Sequence, residues 1–201
     1  MKPIIKDILA IEFKLFQAVK NIDGRASCQD DWNTFQIMRG SQFSAWNDTM
    51  LSSYMEDLSY AGSLSRNLVW EKYANMMRST DPQQYAALKQ YLPDIDRETM
   101  VMINEIVTNQ VTWINNINRK YPCLSASGRP VYAHQDSLYQ TSFETYLTGE
   151  LMTYSRQTLR LYLDHVHKLL DLQENMYLIN LESIAKAYGY ASADDAETMM
   201  K

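Results

Sequence analysis

Apolar residues recur at helical spacing along most of the chain, and this periodicity constrains the fold more than any other feature. Glycine and proline are scarce, with six and five among 201 residues, and they lie between the periodic segments, where they begin or end helices. Alternation of the kind that predicts strands is rare. The sequence therefore predicts an all-α fold, a single domain over residues 1–201 built as a bundle of about seven to nine helices with long antiparallel members.

The breaks in the pattern set the predicted helix bounds. Asp, Asn and Ser residues before the periodic segments are favourable N-caps, and Pro3 suits a first helical turn. Asp23 and Gly24 are expected to end the first helix, and Gly149 to kink the seventh. Residues 121–139 form the longest irregular stretch, which we expect to be functional or mobile. The predicted helices cover about 3–22, 32–46, 48–60, 67–78, 82–93, 97–120, 142–170 and 175–188, followed by a short terminal helix after Ser192.

Glu12 lies in the middle of the apolar stripe of the first helix, a place that disfavours an unpaired charge. At about 100° per residue, Ile5, Ile8 and Phe16 surround it on one face. A buried guanidinium requires a carboxylate or a ligand anion, because an unpaired one costs several kcal/mol. We therefore predict that polar side chains from several helices meet at one interior site. The polar residues that fall within apolar helix faces are Glu12, Arg39, Gln42, Gln110 and Glu150.

This predicted site has two interpretations. In the first, the five residues line a pocket for a small polar or anionic ligand. Glu12, Arg39 and Glu150 are its catalytic residues, with a carboxylate as general base, and Gln42 and Gln110 bind the ligand. In the second, the charged residues form a closed ion-pair network completed by Gln42 and Gln110, and the chain is an interaction module that acts through its surface. A solvent-sized cavity where these side chains meet would distinguish the two. The sequence identifies no cofactor, reaction or oligomeric state.

Four residues outside this set are candidates for ligand contacts. Cys28 precedes a helix N-terminus and follows Arg25 by three positions, an environment that favours thiolate chemistry. Arg129 lies in the long irregular stretch, where its guanidinium could grip an anion and make the segment a lid over the site. His165 continues the apolar face of the seventh predicted helix. We predict all four as ligand-binding residues.

Composition and spacing argue against several function classes. The net charge is −5 and no Lys/Arg run exceeds two residues, so bulk electrostatic binding of nucleic acid is not expected. No apolar stretch approaches the ~18 residues of a membrane span, and no signal-peptide pattern opens the chain, which predicts a cytoplasmic protein without membrane contact. Two cysteines make no disulfide framework or zinc motif, and the Glu-x-x-His spacing of dinuclear sites is absent, so no metal site is predicted.

Short polar and aromatic motifs are distributed over nearly the whole chain. Besides Glu12-Phe13, they are Gly24-Arg25-Ala26-Ser27-Cys28-Gln29-Asp30-Asp31, Thr34-Phe35, Ile37-Met38-Arg39, Ser41-Gln42-Phe43, Arg66-Asn67-Leu68, Glu71-Lys72-Tyr73, Gly128-Arg129-Pro130, Glu144-Thr145-Tyr146-Leu147, Gly149-Glu150-Leu151 and Tyr188-Gly189-Tyr190. Together they resemble a bacterial family, found in gut Firmicutes, that is catalogued only as a domain of unknown function. The resemblance implies an all-helical intracellular domain without an established activity. It also implies a role as the helical partner or substrate-holding module of a nucleotidyltransferase-like protein.

Overall fold

Eleven α-helices and no β-strand occur in the computed structural model, which describes residues 1–20, 24–126 and 128–201. The all-α prediction is confirmed. The described residues contain more helices than the seven to nine that the sequence predicted. The helices are α1 Pro3–Gln17, α2 Trp32–Ser44, α3 Asp48–Ser63, α4 Leu68–Thr80, α5 Pro82–Leu88, α6 Arg97–Lys120, α7 Pro122–Ser125, α8 Phe143–Leu151, α9 Arg156–Asp171, α10 Met176–Ala187 and α11 Ala193–Met199.

Side-chain caps set most helix starts, as the sequence predicted. Asp31 accepts a hydrogen bond from the backbone N–H of Thr34 at 3.0 Å and begins α2. Asn47 and Asp96 cap α3 and α6 in the same way. These carboxylate and amide oxygens pair backbone N–H groups that the first helical turn leaves without partners.

Three predicted helices differ from the observed ones. The fifth was expected over about 82–93, but α5 ends at Leu88 and a 3₁₀ turn follows at Lys89–Tyr91. The first was expected to reach Ile22, but α1 ends at Gln17, and the predicted stop at Asp23 lies outside the described residues. The seventh was expected to run through a kink at Gly149, but it is two helices separated between Leu151 and Arg156. Ser155 makes this break, because its hydroxyl accepts from the N–H of Thr158 and starts a new helix.

The predicted irregular stretch, residues 121–139, is also partly regular. It contains α7 and a 3₁₀ turn at Ala133–Gln135. Within the described residues, α7 and the divided seventh helix account for the two helices beyond the nine predicted. None of the described helices combines the length and apolar character needed to cross a membrane.

One large apolar core is shared by most of the helices and surrounds the polar site. In it, α1 packs against α2, α3 and α4, α8 packs against α4 and α6, and α10 packs against α2 and α6. Fully buried residues include Ile8, Phe43, Leu51, Ile103 and Leu151. This arrangement brings the polar positions of α1, α2 and α8 toward one another.

Gly149 sets how closely α8 can approach α4. A Cβ atom at this position would lie 2.9 Å from Cγ of Met76 and 3.0 Å from the carbonyl oxygen of Lys72. Both distances are below ordinary van der Waals contact, and one involves helix backbone, which cannot move aside easily. Glycine therefore allows the two helices to touch, and this contact places Glu150 beside Lys72.

Candidate functional site

Glu12 and Arg39 form a bidentate ion pair between α1 and α2. Nε of Arg39 donates to Oε2 of Glu12 at 2.8 Å, and Nη2 donates to Oε1 at 2.7 Å. Their exposed fractions are 2% and 8%, so the predicted burial of both residues is confirmed. The hydroxyl of Tyr54 donates a further bond to Oε1 of Glu12 at 2.6 Å. Both oxygens of the buried carboxylate therefore have donors.

Glu150 joins the same cluster from α8. Its Oε1 lies 2.7 Å from Nη1 of Arg39 and accepts a hydrogen bond from the hydroxyl of Tyr154 at 2.6 Å. The other guanidinium contact of Nη1 is the side-chain oxygen of Gln42 at 2.5 Å. The predicted meeting of Glu12, Arg39, Gln42 and Glu150 is thus observed, and Arg39 is its centre.

Lys72 is a fourth charged member that the sequence reasoning did not select. Its Nζ lies 3.5 Å from Oε2 of Glu150 and donates to the hydroxyl of Tyr146 at 2.8 Å. The side chain lies three positions after Val69 and four before Met76, and all three residues are buried. That helical spacing was the available signal. With Lys72 included, two carboxylates face two cations, and the formal charge of the cluster is zero.

Mutual attraction fixes the protonation states of the cluster. Burial raises the pKa of Glu150, but the charges of Arg39 and Lys72 outweigh it and lower the pKa to about 2. Burial lowers the pKa of Arg39, yet Glu12 and Glu150 raise it well above its usual value. The pKa of Lys72 is raised on balance, because Tyr146 and Glu150 outweigh burial. Burial and the neighbouring carboxylates also raise the pKa of Tyr54 and Tyr154. Glu150 is consequently ionised at neutral pH, and both tyrosines keep their protons.

A cavity of about 70 Å³, partly open to the surface, adjoins the cluster between α2, α6, α8 and α10. One ordered water needs roughly 10–15 Å³ of such space, so the cavity is larger than a single water requires. Arg39 and Glu150 reach its wall, whereas Glu12 does not. Six aromatic side chains line it: Trp46, Phe143, Tyr146, Tyr154, Tyr162 and Tyr177.

Three amide side chains also line the cavity, and they are incompletely paired. Nε2 of Gln110 lies 3.2 Å from the hydroxyl of Tyr162 and 3.0 Å from Sδ of Met176, while its Oε1 bonds to none of the described residues. Gln110 is 4% exposed and belongs to this wall rather than to the ion-pair cluster, contrary to the network prediction. Nε2 of Gln42 has no hydrogen bond within the described ranges, and the buried Oδ1 of Asn180 has none either.

The remaining predicted ligand residues do not line this cavity. Arg25 is exposed and pairs with Asp30, with contacts of 2.8 and 2.6 Å. Cys28 is also exposed, in the 3₁₀ turn before α2. His165 is half-buried, with Nε2 2.8 Å from the carbonyl oxygen of Ala45, so this nitrogen carries the proton that the carbonyl accepts.

Arg129 approaches the cavity indirectly. Its guanidinium carbon lies 4.7 Å from the ring centre of Tyr146, whose ring forms part of the cavity wall. The surrounding segment is tied to α8, because Pro130 and Val131 accept hydrogen bonds from the backbone of Phe143 and Glu144. The segment is therefore anchored beside the cavity, and its action as a lid stays a prediction.

Across residues 1–20, 24–126 and 128–201, no three His, Cys, Asp or Glu side chains come together in a group that could hold a metal ion. The cavity wall itself combines amide, charged and aromatic groups with the apolar side chains of Ala45, Leu147 and Met176.

Comparison with known proteins places the chain in one family. The model of Protein of unknown function (DUF4125) matches residues 2–198. No curated protein matches the chain, and no solved structure does. The match confirms the predicted resemblance to a family of unknown function, while the bacterial origin stays a prediction.

Proposed function

The chain belongs to the DUF4125 family of unknown function, and we propose that it binds a small polar molecule in the cavity between α2, α6, α8 and α10. The amide oxygen of Gln110 carries this proposal. It belongs to a side chain that is 4% exposed, yet it has no partner among the described residues. Oδ1 of Asn180, in the same wall, is fully buried and also has no partner in the described ranges; such an atom costs about 1–3 kcal/mol, so a purely structural core would be expected to pair it.

The composition of the cavity wall supports the same function. Small-molecule sites are lined mainly by aromatic and apolar side chains, with a few polar groups that orient the ligand. Six aromatic residues and the amides of Gln42, Gln110 and Asn180 provide that combination. The volume of about 70 Å³ fits a very small molecule or the inserted end of a larger one.

In this proposal the charged cluster holds the wall in place rather than carrying out chemistry. Glu12 does not line the cavity, and all its oxygens are paired with Arg39 and Tyr54. Glu150 lines it, but a carboxylate with a pKa of about 2 is a weak general base at neutral pH. Catalysis by Glu12, Arg39 and Glu150 stays a prediction that this proposal does not require.

A thermal-shift screen tests the proposal when it includes a variant with a filled cavity. Ala45 lies in the cavity wall and is buried, so Ala45→Leu should occupy the space with apolar atoms. We expect at least one nucleoside, amino acid or small amide to raise the melting temperature of the wild type, because a ligand that binds only the native state stabilises it. The same compound should leave Ala45→Leu unaffected. Equal shifts in both proteins, or none in either, would contradict binding in this cavity.

A second candidate function, an interaction module for a nucleotidyltransferase-like partner, is favoured by a different observation. Trp32 and Met38 on α2 are 36% and 43% exposed, and Trp32 is in ring contact with Phe13 and Phe35. Exposed aromatic residues of this kind occur at protein interfaces. Replacing Trp32 and Met38 with serine should abolish partner binding without altering ligand shifts, and undiminished partner binding would contradict this role.

A further inference from the structure

We infer that the group that enters the cavity is a planar, uncharged amide, such as a carboxamide, a urea or a lactam edge. This inference rests on the proposed binding function and names the chemical class of its ligand. Its basis is the charge balance of the cavity wall and the orientation of two glutamine side chains.

The charge balance disfavours an ionic ligand. The guanidinium of Arg39 is directed at Glu12, Glu150 and the oxygen of Gln42, so it has no uncompensated charge to attract an anion. The negative charge of Glu150 is balanced by Arg39 and Lys72, so a cation gains no unpaired carboxylate. An ion that left water for this wall would lose its hydration without meeting an opposite charge that is free to pair with it.

The orientation of Gln110 is fixed by the sulfur of Met176. A thioether can only accept a hydrogen bond, so the amide atom 3.0 Å from Sδ must be the nitrogen. The carbonyl oxygen of Gln110 is then the atom without a partner among the described residues. From α6, the cavity wall therefore offers a hydrogen-bond acceptor and requires a ligand N–H.

The orientation of Gln42 is fixed by Arg39 in the opposite sense. A guanidinium has no acceptor, so the amide atom in contact with Nη1 must be the oxygen. The Nε2 group of Gln42 is left as a donor, and within the described residues nothing accepts from it. From α2, the wall therefore offers an N–H and requires a ligand oxygen.

One acceptor from α6 and one donor from α2 are complementary to a group that carries both C=O and N–H. An amide has these two functions in one plane and no net charge. The rings of Trp46, Tyr146 and Tyr154 in the same wall suit a planar group, because flat π systems pack well against aromatic faces. Asn180 adds another amide whose Oδ1 has no partner in the described ranges.

Three isosteric probes separate the alternatives: acetamide, acetate and acetamidinium have the same shape and differ in charge. Binding can be followed by NMR through the indole N–H of Trp46, which lies in the cavity wall and is assigned with Trp46→Phe. Affinities in the millimolar range are expected for such small probes. We expect acetamide to produce a saturable shift and to bind at least about tenfold more tightly than either ion.

Two variants test which side chains contact the bound amide. Gln110→Leu keeps the approximate size of the side chain and removes its acceptor, so it should weaken acetamide binding about tenfold, while Gln157→Leu at an exposed position of α9 should leave it unchanged. Gln42→Glu is a second test of ligand preference. Its position is half-buried, so the fold tolerates the change more easily. It replaces the free donor with an acceptor, so the preference should move from acetamide toward acetamidinium.

Each outcome supports or overturns a defined statement. Tighter binding of acetate or acetamidinium by the wild type would overturn the amide inference and leave the proposed binding function standing. No shift at Trp46 with any probe, in protein that unfolds cooperatively, would overturn both. Equal acetamide binding by the wild type and by Gln110→Leu would overturn the assigned contact. Selective binding of acetamide that Gln110→Leu loses would support both statements.

Discussion

Two groups of polar side chains lie next to each other in the interior and are satisfied to different degrees. In the charged cluster, Glu12, Arg39 and Oε1 of Glu150 have partners at 2.5–2.8 Å, and Oε2 of Glu150 has Lys72 at 3.5 Å. In the amide wall, Gln42 and Gln110 each keep one polar atom unpaired among the described residues. Under the proposed function, interior polarity in this protein has two uses. The ion pairs close the helix packing, and the amides leave positions open for a ligand.

The largest expected effect is the loss of the central carboxylate. Glu12→Ala removes the two carboxylate oxygens that accept from Nε and Nη2 of Arg39, and it leaves Glu150 as the carboxylate that pairs with this buried guanidinium. The variant should lose about 3–5 kcal/mol of unfolding free energy. Urea unfolding of the two proteins measures the difference. Glu71→Ala is a matched control, because Glu71 makes the same bidentate contact with Arg66, whose side chain is 30% exposed and can regain water. An equal loss of stability in both variants, or an unchanged stability of Glu12→Ala, would contradict the view that Glu12 and Arg39 belong to a closed cluster without access to water.

The loss of unfolding free energy at acid pH should depend on the protonation of Glu150. Its pKa is lowered from 4.5 to about 2 in the folded protein, so the folded state binds this proton less readily than the unfolded chain does. The stabilisation is therefore fully present above pH 4.5 and is lost as the pH falls toward 2. A shift of this size corresponds to about 3 kcal/mol at about 1.36 kcal/mol per pKa unit.

Glu150→Gln supplies the comparison for this titration. Asp96 and Asp136 also have lowered pKa values, because hydrogen bonds favour their ionised forms, so the wild-type curve alone does not isolate one group. The glutamine variant should be less stable at neutral pH and should lose less stability between pH 5 and 2. Parallel curves for the two proteins would show that Arg39 and Lys72 do not stabilise the ionised form of Glu150.

A side chain at Gly149 should have a smaller effect on stability. It would disturb both the charged cluster and the amide wall, because α8 contributes to each. A Cβ there meets the carbonyl oxygen of Lys72 at 3.0 Å, so Gly149→Ala must push α8 away from α4, at a cost of about 1–3 kcal/mol. Gly40→Ala is the control, because its Cβ would meet only the end of the Met1 side chain at 2.8 Å and side-chain carbons that can adjust. Thermal unfolding should show a clear loss for the first variant and little or none for the second. Similar results for both would mean that the α4–α8 contact does not position Glu150.

The charged cluster was largely predictable from the sequence, and its physical basis explains why. Glu12, Arg39 and Glu150 each interrupt an apolar helix face, and helical spacing alone shows that each points into the core. Lys72 was missed although it obeys the same rule. It lies on a helix whose inward side was identified by aromatic and methionine residues, and its partner Glu150 comes from α8 through a contact that only tertiary packing establishes.

The features that the sequence did not predict depend on competition between local and distant contacts. Apolar periodicity continues from Phe143 to Leu170, so the pattern does not show that Ser155 starts a new helix there. The burial of Gln110 was predicted, but its partners, Tyr162 and Met176, lie 52 and 66 positions away. The unpaired oxygen that supports the proposed function therefore becomes visible only when these three helices are assembled.

The smallest expected effect is the stability change of Gln110→Leu, and it bears most directly on the difference between the two groups. Leucine loses the contacts of Nε2 with Tyr162 and Met176, but it also removes the amide oxygen of a 4% exposed side chain, and this oxygen has no partner in the described residues. These two contributions oppose each other, so the unfolding free energy of the protein without ligand should change by no more than about 1 kcal/mol in either direction. Urea unfolding measures this change when Gln110→Leu is compared with Glu12→Ala and with the exposed control Gln157→Leu. A loss as large as that of Glu12→Ala would make the amide a member of the closed cluster, since only a fully paired buried group costs that much to remove.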